Sequence, residues 1–326
     1  MLSTLTRRVL PVLGALAALA VLPDPAAAWG PGTHVHLGLE ILSSLSLFPS
    51  SVAGLLSAHA AEYLYGSLAA DIPMGKSYVP AERHPHAWPV GRETLEAAGD
   101  DPALRAFALG YLSHLAADVG AHQRFVPRML LLTSSTRALG HSYWEHRMDA
   151  RVGGYRALLA RAVVLEEDHG RLDRHLDQVL DRTIFSFDTN RRIFRGMVRI
   201  ADDRRWQSLF DTVIDNSRWD LEERESRLFL REGFELVAGY LLRREDSRAA
   251  GGDPTGRNAM TRAKRIRRQV LMDEGFGAAG SLRRAADRYF PLPERTPELW
   301  PRRGGSEEVA DRLRQRLAGA ALPRAG

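Results

Sequence analysis

Apolar residues recur every three or four positions along almost the whole chain, which is the periodicity of α-helices that bury one face. No segment shows a convincing strand-like alternation of apolar and polar residues. We therefore predict an all-α fold, a multi-helix bundle. The glycine-rich segment 251–256 is the best candidate linker, and it divides a helical domain at 29–250 from a helical C-terminal extension at 251–326.

The most informative stretch is residues 104–127, which reads as one continuous helix. His114, Asp118 and His122 are four residues apart, so an α-helix offsets successive members by only about 40°. Apolar side chains that include Phe107 share their face, which is therefore predicted to face the core. Burying these polar groups unpaired would cost several kcal/mol. Either a bound metal or a buried His–Asp–His hydrogen-bond chain removes that cost.

The first helix of the domain is predicted to supply another inward histidine. Thr33 is a candidate N-cap, and the helix runs from His34 to about Leu47. His34 lies on its apolar face, whereas His36 lies on the opposite side and is expected at the surface.

A second helix is predicted at about 51–70 and ends at a proline-containing turn. Asp71 continues its apolar stripe and is therefore directed inward. The loop that follows contains His84 and His86, and a further helix is predicted around 92–98.

In a helix predicted at about 137–152, His141 and Glu145 are one turn apart on the apolar face. The remaining histidines are expected at the surface or behind the site and receive no role; they are His59, His146, His169 and His175.

The candidate metal ligands are nitrogen and oxygen donors only. The chain contains no cysteine, which excludes disulfides and thiolate zinc sites. Neutral imidazoles with carboxylates suit zinc, and nine donors are about right for two or three ions that share a bridging carboxylate. Such a cluster with open positions ionises water and binds phosphate. The nine donors are Trp29 (through its amine), His34, Asp71, His86, His114, Asp118, His122, His141 and Glu145.

The N-terminus has the pattern of a cleaved secretory signal. Arg7 and Arg8 precede an apolar run, and an A-x-A cleavage site ends at Ala28. The run is shorter than the about 20 residues that a membrane span needs. We predict a signal peptide at 1–28, a mature protein that begins with Trp29, and a secreted or periplasmic location. An uncleaved interfacial anchor is the alternative.

The net charge of +5 is weak evidence for a nucleic-acid or membrane partner. Only Lys76 and Lys264 of the 45 basic residues are lysine, which points to a general preference for arginine. Arginines nevertheless flank a narrow apolar stripe at 260–270. That segment is expected either to pack on its own domain or to lie on anionic lipid.

Six motifs in order resemble the bacterial zinc-dependent phospholipase C family, which is related to the fungal single-strand-specific zinc nucleases. They are Trp29-Gly30, Thr33-His34, Ala70-Asp71, His86-Ala87-Trp88, His114-x-x-x-Asp118 and His141-x-x-x-Glu145. The resemblance covers about 29–152. It favours His86 over His84 as the loop ligand, because only His86 is part of a His-x-Trp motif.

This resemblance implies an all-α fold around three zinc ions. The first zinc would take Asp71, His86, His114 and Asp118, the second would take His122, His141 and Glu145, and the third would take Trp29, His34 and Asp118. A zinc-bound hydroxide would attack phosphorus, and Asp71 would orient or deprotonate the water. His122 departs from the family pattern, which places more residues between the bridging aspartate and the next histidine.

The resemblance therefore implies a secreted zinc-dependent phosphodiesterase that hydrolyses phospholipids, with possible peripheral membrane contact. One alternative is a single-strand nuclease or nucleotidase with the same cluster, in which Tyr78, Trp88 or Phe125 stacks a base. The other is a non-catalytic, metal-stabilised helical binding protein.

Overall fold

A computed structural model describes residues 29–73, 79–133, 137–181, 183, 185–201, 217, 219–294 and 305–320. These residues form helices joined by turns and contain no strand, which confirms the predicted all-α fold. None of the described helices is long and apolar enough to cross a membrane.

The helices of the first half are α1 Pro31–Ser43, α2 Ser50–Ala58, α3 Ala60–Ala69, α4 Trp88–Ala97, α5 Pro102–Gly120, α6 Val126–Leu132 and α7 Arg137–Val152. Those of the second half are α8 Gly154–Leu165, α9 Gly170–Val179, α10 Phe187–Ala201, α11 Glu223–Arg243, α12 Arg257–Glu274, α13 Ala279–Tyr289 and α14 Gly305–Ala320. Short 3₁₀ turns lie at Leu45–Leu47, Ala81–Arg83, Arg244–Asp246 and Gly275–Gly277.

Helix α5 is the centre of the bundle and packs against α3, α11 and α4. Two glycines allow its close crossing with α3. A Cβ atom on Gly110 would overlap the carbonyl oxygen of Tyr63, and one on Gly66 would overlap that of Phe107. The backbones therefore approach directly, which brings the end of α3 close to the middle of α5.

Two predicted helices are interrupted. The helix expected at 51–70 is broken at His59, whose φ and ψ of −123° and 47° separate α2 from α3. The central helix does not continue through residue 127 as a regular α-helix, because a π-helical turn at Ala121–Phe125 separates α5 from α6. Such turns occur frequently at functional sites.

The first helix begins earlier than predicted, and Thr33 is not its N-cap. Gly30 is the N-cap, and Asp149 from α7 takes over the capping role. The Asp149 carboxylate accepts hydrogen bonds from the backbone N–H of Gly32 at 3.0 Å and of Thr33 at 2.9 Å, and from the Thr33 hydroxyl at 2.5 Å. A Cβ atom on Gly30 would overlap this carboxylate. The glycine after Trp29 is therefore required by packing.

Three histidines are more buried than expected. His36 is half-buried beside Glu40, and burial lowers its pKa to about 4. His175 is buried and donates from Nε2 to the carbonyl of Thr94 at 2.8 Å. His169 is buried against the ring of Tyr65, with centroids 3.5 Å apart, and donates to a backbone carbonyl.

A separate polar network lies beside His169. Asp173 is buried and accepts hydrogen bonds from the Tyr65 hydroxyl at 2.5 Å and from Arg191 at 2.7 Å. The Asp173 carboxylate, the Tyr65 hydroxyl and the Arg191 guanidinium therefore hydrogen-bond with one another. They take no part in the histidine–aspartate cluster described below.

The predicted linker packs on the bundle. The Gly252 carbonyl accepts a hydrogen bond from Trp88 at 2.8 Å, and a Cβ atom on Gly252 would overlap Val119 of α5. Downstream, α12 packs on α6, and α14 packs on α1 and α8. The division into domains at 250 stays a prediction.

Candidate metal centre

Five side chains form a buried cluster with Asp118 at its centre. The members are His34, Asp71, His86, His114 and Asp118. One Asp118 oxygen lies 3.2 Å from Nε2 of His86 and 3.2 Å from Nε2 of His114. The other lies 3.4 Å from Nε2 of His34. Four of the five residues are buried, and Asp71 retains 13% exposure of its side chain. Solvent therefore reaches the cluster at Asp71.

The geometry divides the cluster into two groups of donors. Asp71, His86 and His114 form the first group, and His34, His114 and Asp118 form the second. Within each group the donor atoms lie within 4.8 Å of one another. These groups bring together donors from α1, α5, the end of α3 and the loop before α4.

The backbone fixes the orientation of the central histidine. Nδ1–H of His114 donates to the carbonyl oxygen of Ser67 on α3 at 2.8 Å. In a neutral ring this leaves the lone pair on Nε2, directed into the cluster. Nε2 of His86 is 3.0 Å from that atom.

The loop that carries His86 is held by two hydrogen bonds. The backbone N–H of His86 donates to Nδ1 of His84 at 3.0 Å, and the Tyr111 hydroxyl of α5 donates to the carbonyl of Pro85 at 2.5 Å. His86 belongs to one of the donor groups, and His84 belongs to neither. The choice of His86 as the loop ligand stays a prediction.

Burial and mutual charge shift the pKa values of the cluster residues in different directions. Burial raises the pKa of Asp118, but the charge of His114 and the neighbouring imidazoles outweigh burial and hold it well below its ordinary value. Burial, assisted by His114, lowers the pKa of His34, and burial also lowers that of His122. Burial opposes protonation of His114, but Asp118 and Asp71 raise its pKa overall. The cluster therefore combines an anionic carboxylate with a position that favours positive charge.

Two features of the cluster fit a bound metal ion. Both oxygens of Asp118 and Nε2 of His34 are buried, and none of them forms a hydrogen bond within the described part of the chain. Within each group the potential ligand atoms also lie within 4.8 Å of one another, close enough to share one ion. Since all donors are imidazole nitrogens or carboxylate oxygens, the set suits zinc or another first-row metal.

Trp29 lies next to this cluster. It is fully buried, its indole meets the His34 ring edge-on with centroids 6.3 Å apart, and it packs against Gly233 of α11. Asp149 fixes the turn that follows it. Whether its amine is a ligand stays a prediction.

The predicted second zinc site is only partly described. Nδ1 of His122, in the π-helical turn, lies 4.0 Å from Asp118 and donates to the Pro254 carbonyl. Glu145 is buried on α7, outside the two donor groups. His141 lies on α7, but its side chain falls outside the described residues. The assignments of His122, His141 and Glu145 stay predictions.

Asp149 is the residue that sequence reasoning missed. It lies one turn after Glu145, so it continues the four-residue spacing that begins at His141. That spacing places Asp149 on the same helix face as His141 and Glu145. It does not reveal that Asp149 caps the first helix.

We expect Asp149→Asn to lower the free energy of unfolding by about 1 to 2 kcal/mol, because the first turn of α1 loses its cap. Thermal unfolding in the presence of a chelator measures this. Asp188→Asn, at a side chain with 73% exposure, is the matched control and should change stability by less than about 0.5 kcal/mol. Equal effects of the two substitutions would contradict the capping role.

A comparison with protein families identifies the chain. The family described as zinc-dependent phospholipase C matches residues 33–216, more than half of the chain. The chain belongs to the zinc-dependent phospholipase C family. All five cluster residues lie within the matched region, and the match extends well beyond residue 152, where the motif resemblance ended. No curated protein and no solved structure gives a significant match.

Membership of the zinc-dependent phospholipase C family confirms the resemblance drawn from the six motifs. It agrees with the described cluster, in which His and Asp donors converge in a helical bundle. The presence of two or three ions stays a prediction.

Proposed function

We propose that the protein is a secreted or periplasmic zinc-dependent phosphodiesterase that hydrolyses phospholipids. The observation that carries the proposal is the convergence of three imidazoles and two carboxylates at Asp118, in a chain of this family. We further propose two or three zinc ions and cleavage after Ala28.

In this proposal Asp71, His86, His114 and Asp118 hold one ion, and His34 and Asp118 contribute to another. The bound metal would supply positive charge for the phosphate and lower the pKa of water. Asp71 is the cluster residue that solvent reaches, so we assign to it the orientation or deprotonation of the attacking water. Ser67 and the loop around His84 keep the imidazoles in ligand orientation.

A nuclease of the same chemistry is the second candidate, but its proposed stacking residues gain no support. Trp88 is buried, stacks on Tyr240 with centroids 4.7 Å apart and donates to Gly252. Phe125 is fully buried against Phe229. Both side chains are therefore committed to packing. Tyr78 lies outside the described residues. The non-catalytic binding protein differs from both candidates by having no turnover.

Side-by-side assays of the purified protein test the proposal. We expect hydrolysis of a chromogenic phosphocholine ester and of lecithin, loss of both activities after chelation, and recovery with zinc. Activity on single-stranded DNA should be much weaker. Metal analysis and intact mass of the exported protein measure the zinc content and locate the first residue.

Three outcomes would contradict parts of this proposal. Stoichiometric zinc without hydrolysis of any lipid or nucleotide phosphodiester would leave a metal-stabilised binding protein. A preference for single-stranded DNA over lecithin would favour the nuclease. If the exported protein began before Trp29, Trp29 would have no free amine, and that amine could not be a metal ligand.

A further inference from the structure

Helix α12 carries a strip of exposed residues on the side that faces away from the bundle. At 100° per residue the strip spans about 120° of the helix surface. It consists of Arg257, Thr261, Lys264, Arg265, Arg268, Leu271 and Met272, and we call it the α12 strip.

The opposite face of α12 is used for packing. Ala263 is fully buried in a small apolar core that α12 forms with α6 and α13, and Ile266 and Val270 pack against it. Two cations outside the strip have contacts within the chain. Arg267 donates to the Leu131 carbonyl at 2.7 Å, and Arg262 lies over the Tyr289 ring. The α12 strip is therefore separate from the packing of this helix.

The cations of the strip differ from most surface arginines of this protein. Lys264, Arg265 and Arg268 form no ion pair or hydrogen bond with any described residue. By contrast, Arg227 pairs with Glu223 at 2.9 Å, and Arg312 pairs with Glu308 at 2.6 Å. Asp273 and Glu274 lie outside the arc. The strip is thus a surface of uncompensated positive charge.

Apolar side chains lie at the C-terminal end of the same strip. Met272 is 74% exposed and Leu271 is 38% exposed. Together with Lys264, Arg267 and Arg268 they line an open groove of about 320 Å³. Exposed apolar side chains beside Lys264 and Arg268, which have no described partner, match a bilayer surface, which offers anionic phosphates and an apolar interior. A nucleic-acid backbone would leave the apolar pair without a partner.

We propose that the α12 strip docks on anionic lipid bilayers. The helix begins beside the candidate metal centre, since Gly256 precedes it and approaches His122 so closely that a Cβ atom would overlap that residue, and Nδ1 of His122 lies 4.0 Å from Asp118. Docking would place the centre within one helix length, about 27 Å, of the lipid. The inference does not depend on the proposed function, because binding is measurable without turnover.

Co-sedimentation with equimolar phosphatidylcholine–phosphatidylglycerol vesicles, in the presence of a chelator, tests this proposal. The triple variant Lys264→Gln, Arg265→Gln, Arg268→Gln should bind about 100-fold more weakly, since each cation near an anionic surface contributes about fivefold. Arg92 pairs with Glu245 at 2.9 Å, as Arg227 and Arg312 pair with their partners. The matched control removes these three paired charges by Arg92→Gln, Arg227→Gln and Arg312→Gln and should bind within about twofold of the unchanged protein.

Met272→Gln separates lipid from other polyanions. It should weaken vesicle binding about tenfold while leaving any binding of single-stranded DNA unchanged. All variants share the same N-terminal segment, so differences between them report on α12 alone. The proposal is overturned if the triple variant binds vesicles like the unchanged protein, or if the control triple loses as much binding. It is also overturned if Met272→Gln has no effect.

Discussion

Asp118→Asn is expected to remove most of the bound zinc and to lower phosphodiesterase activity by at least about 1,000-fold. The carboxylate lies within 3.4 Å of three imidazoles, from α1, the loop before α4 and its own helix. An amide keeps the size of the side chain but loses the negative charge and one acceptor. Metal analysis after dialysis and an assay on a chromogenic phosphocholine ester measure the two effects.

Asp173→Asn is the matched control, because it is also a buried aspartate but lies in a separate network with Tyr65 and Arg191. It should lower the free energy of unfolding by about 1 to 2 kcal/mol and leave the zinc content unchanged. If Asp118→Asn kept its zinc and activity, the cluster would be a structural hydrogen-bond network and not a metal centre.

Gly110→Ala is expected to lower the free energy of unfolding by about 3 kcal/mol, because the added methyl group meets the backbone of α3, which cannot rotate away. The two helices must then separate. Since Asp71 follows α3 and His114 lies on α5, the separation should also lower zinc affinity. Chemical denaturation and competition with a zinc chelator measure these effects.

Gly54→Ala provides the comparison at a helical glycine with open surroundings. No heavy atom lies within 4 Å of a Cβ atom at this position on α2. The substitution should be neutral or stabilise the protein by up to about 1 kcal/mol, since alanine is the better helix former. If Gly110→Ala were as neutral as Gly54→Ala, the crossing of α3 and α5 would tolerate an extra methyl group.

The close packing of α3 on α5 also bears on the orientation of the cluster residues. Ser67 lies on α3, and its carbonyl oxygen holds the His114 ring at 2.8 Å. The Tyr111 hydroxyl holds the loop before His86 at 2.5 Å. Orientation of the imidazoles therefore depends on backbone groups of neighbouring elements, which links metal binding to the stability of the bundle.

The sequence by itself determined the helical fold and the inward positions of His34, His114 and Asp118. These properties depend on spacing along a single helix, and spacing is fully specified by the order of residues. The helical period of 3.6 residues places His34, His114 and Asp118 on the same faces as apolar residues. The helix predicted at 137–152 has the predicted ends. The ordered motifs also predicted the family, which the match over residues 33–216 confirms.

Only the tertiary structure decided how the elements meet. Asp149 caps a helix more than 100 residues away, and the loop at 251–256, expected to be a linker, packs on α5 and His122. The π-helical turn after Gly120 likewise could not be inferred from a regular repeat. Each of these features depends on contacts between segments distant in sequence, and a local pattern of apolar and polar residues does not encode them.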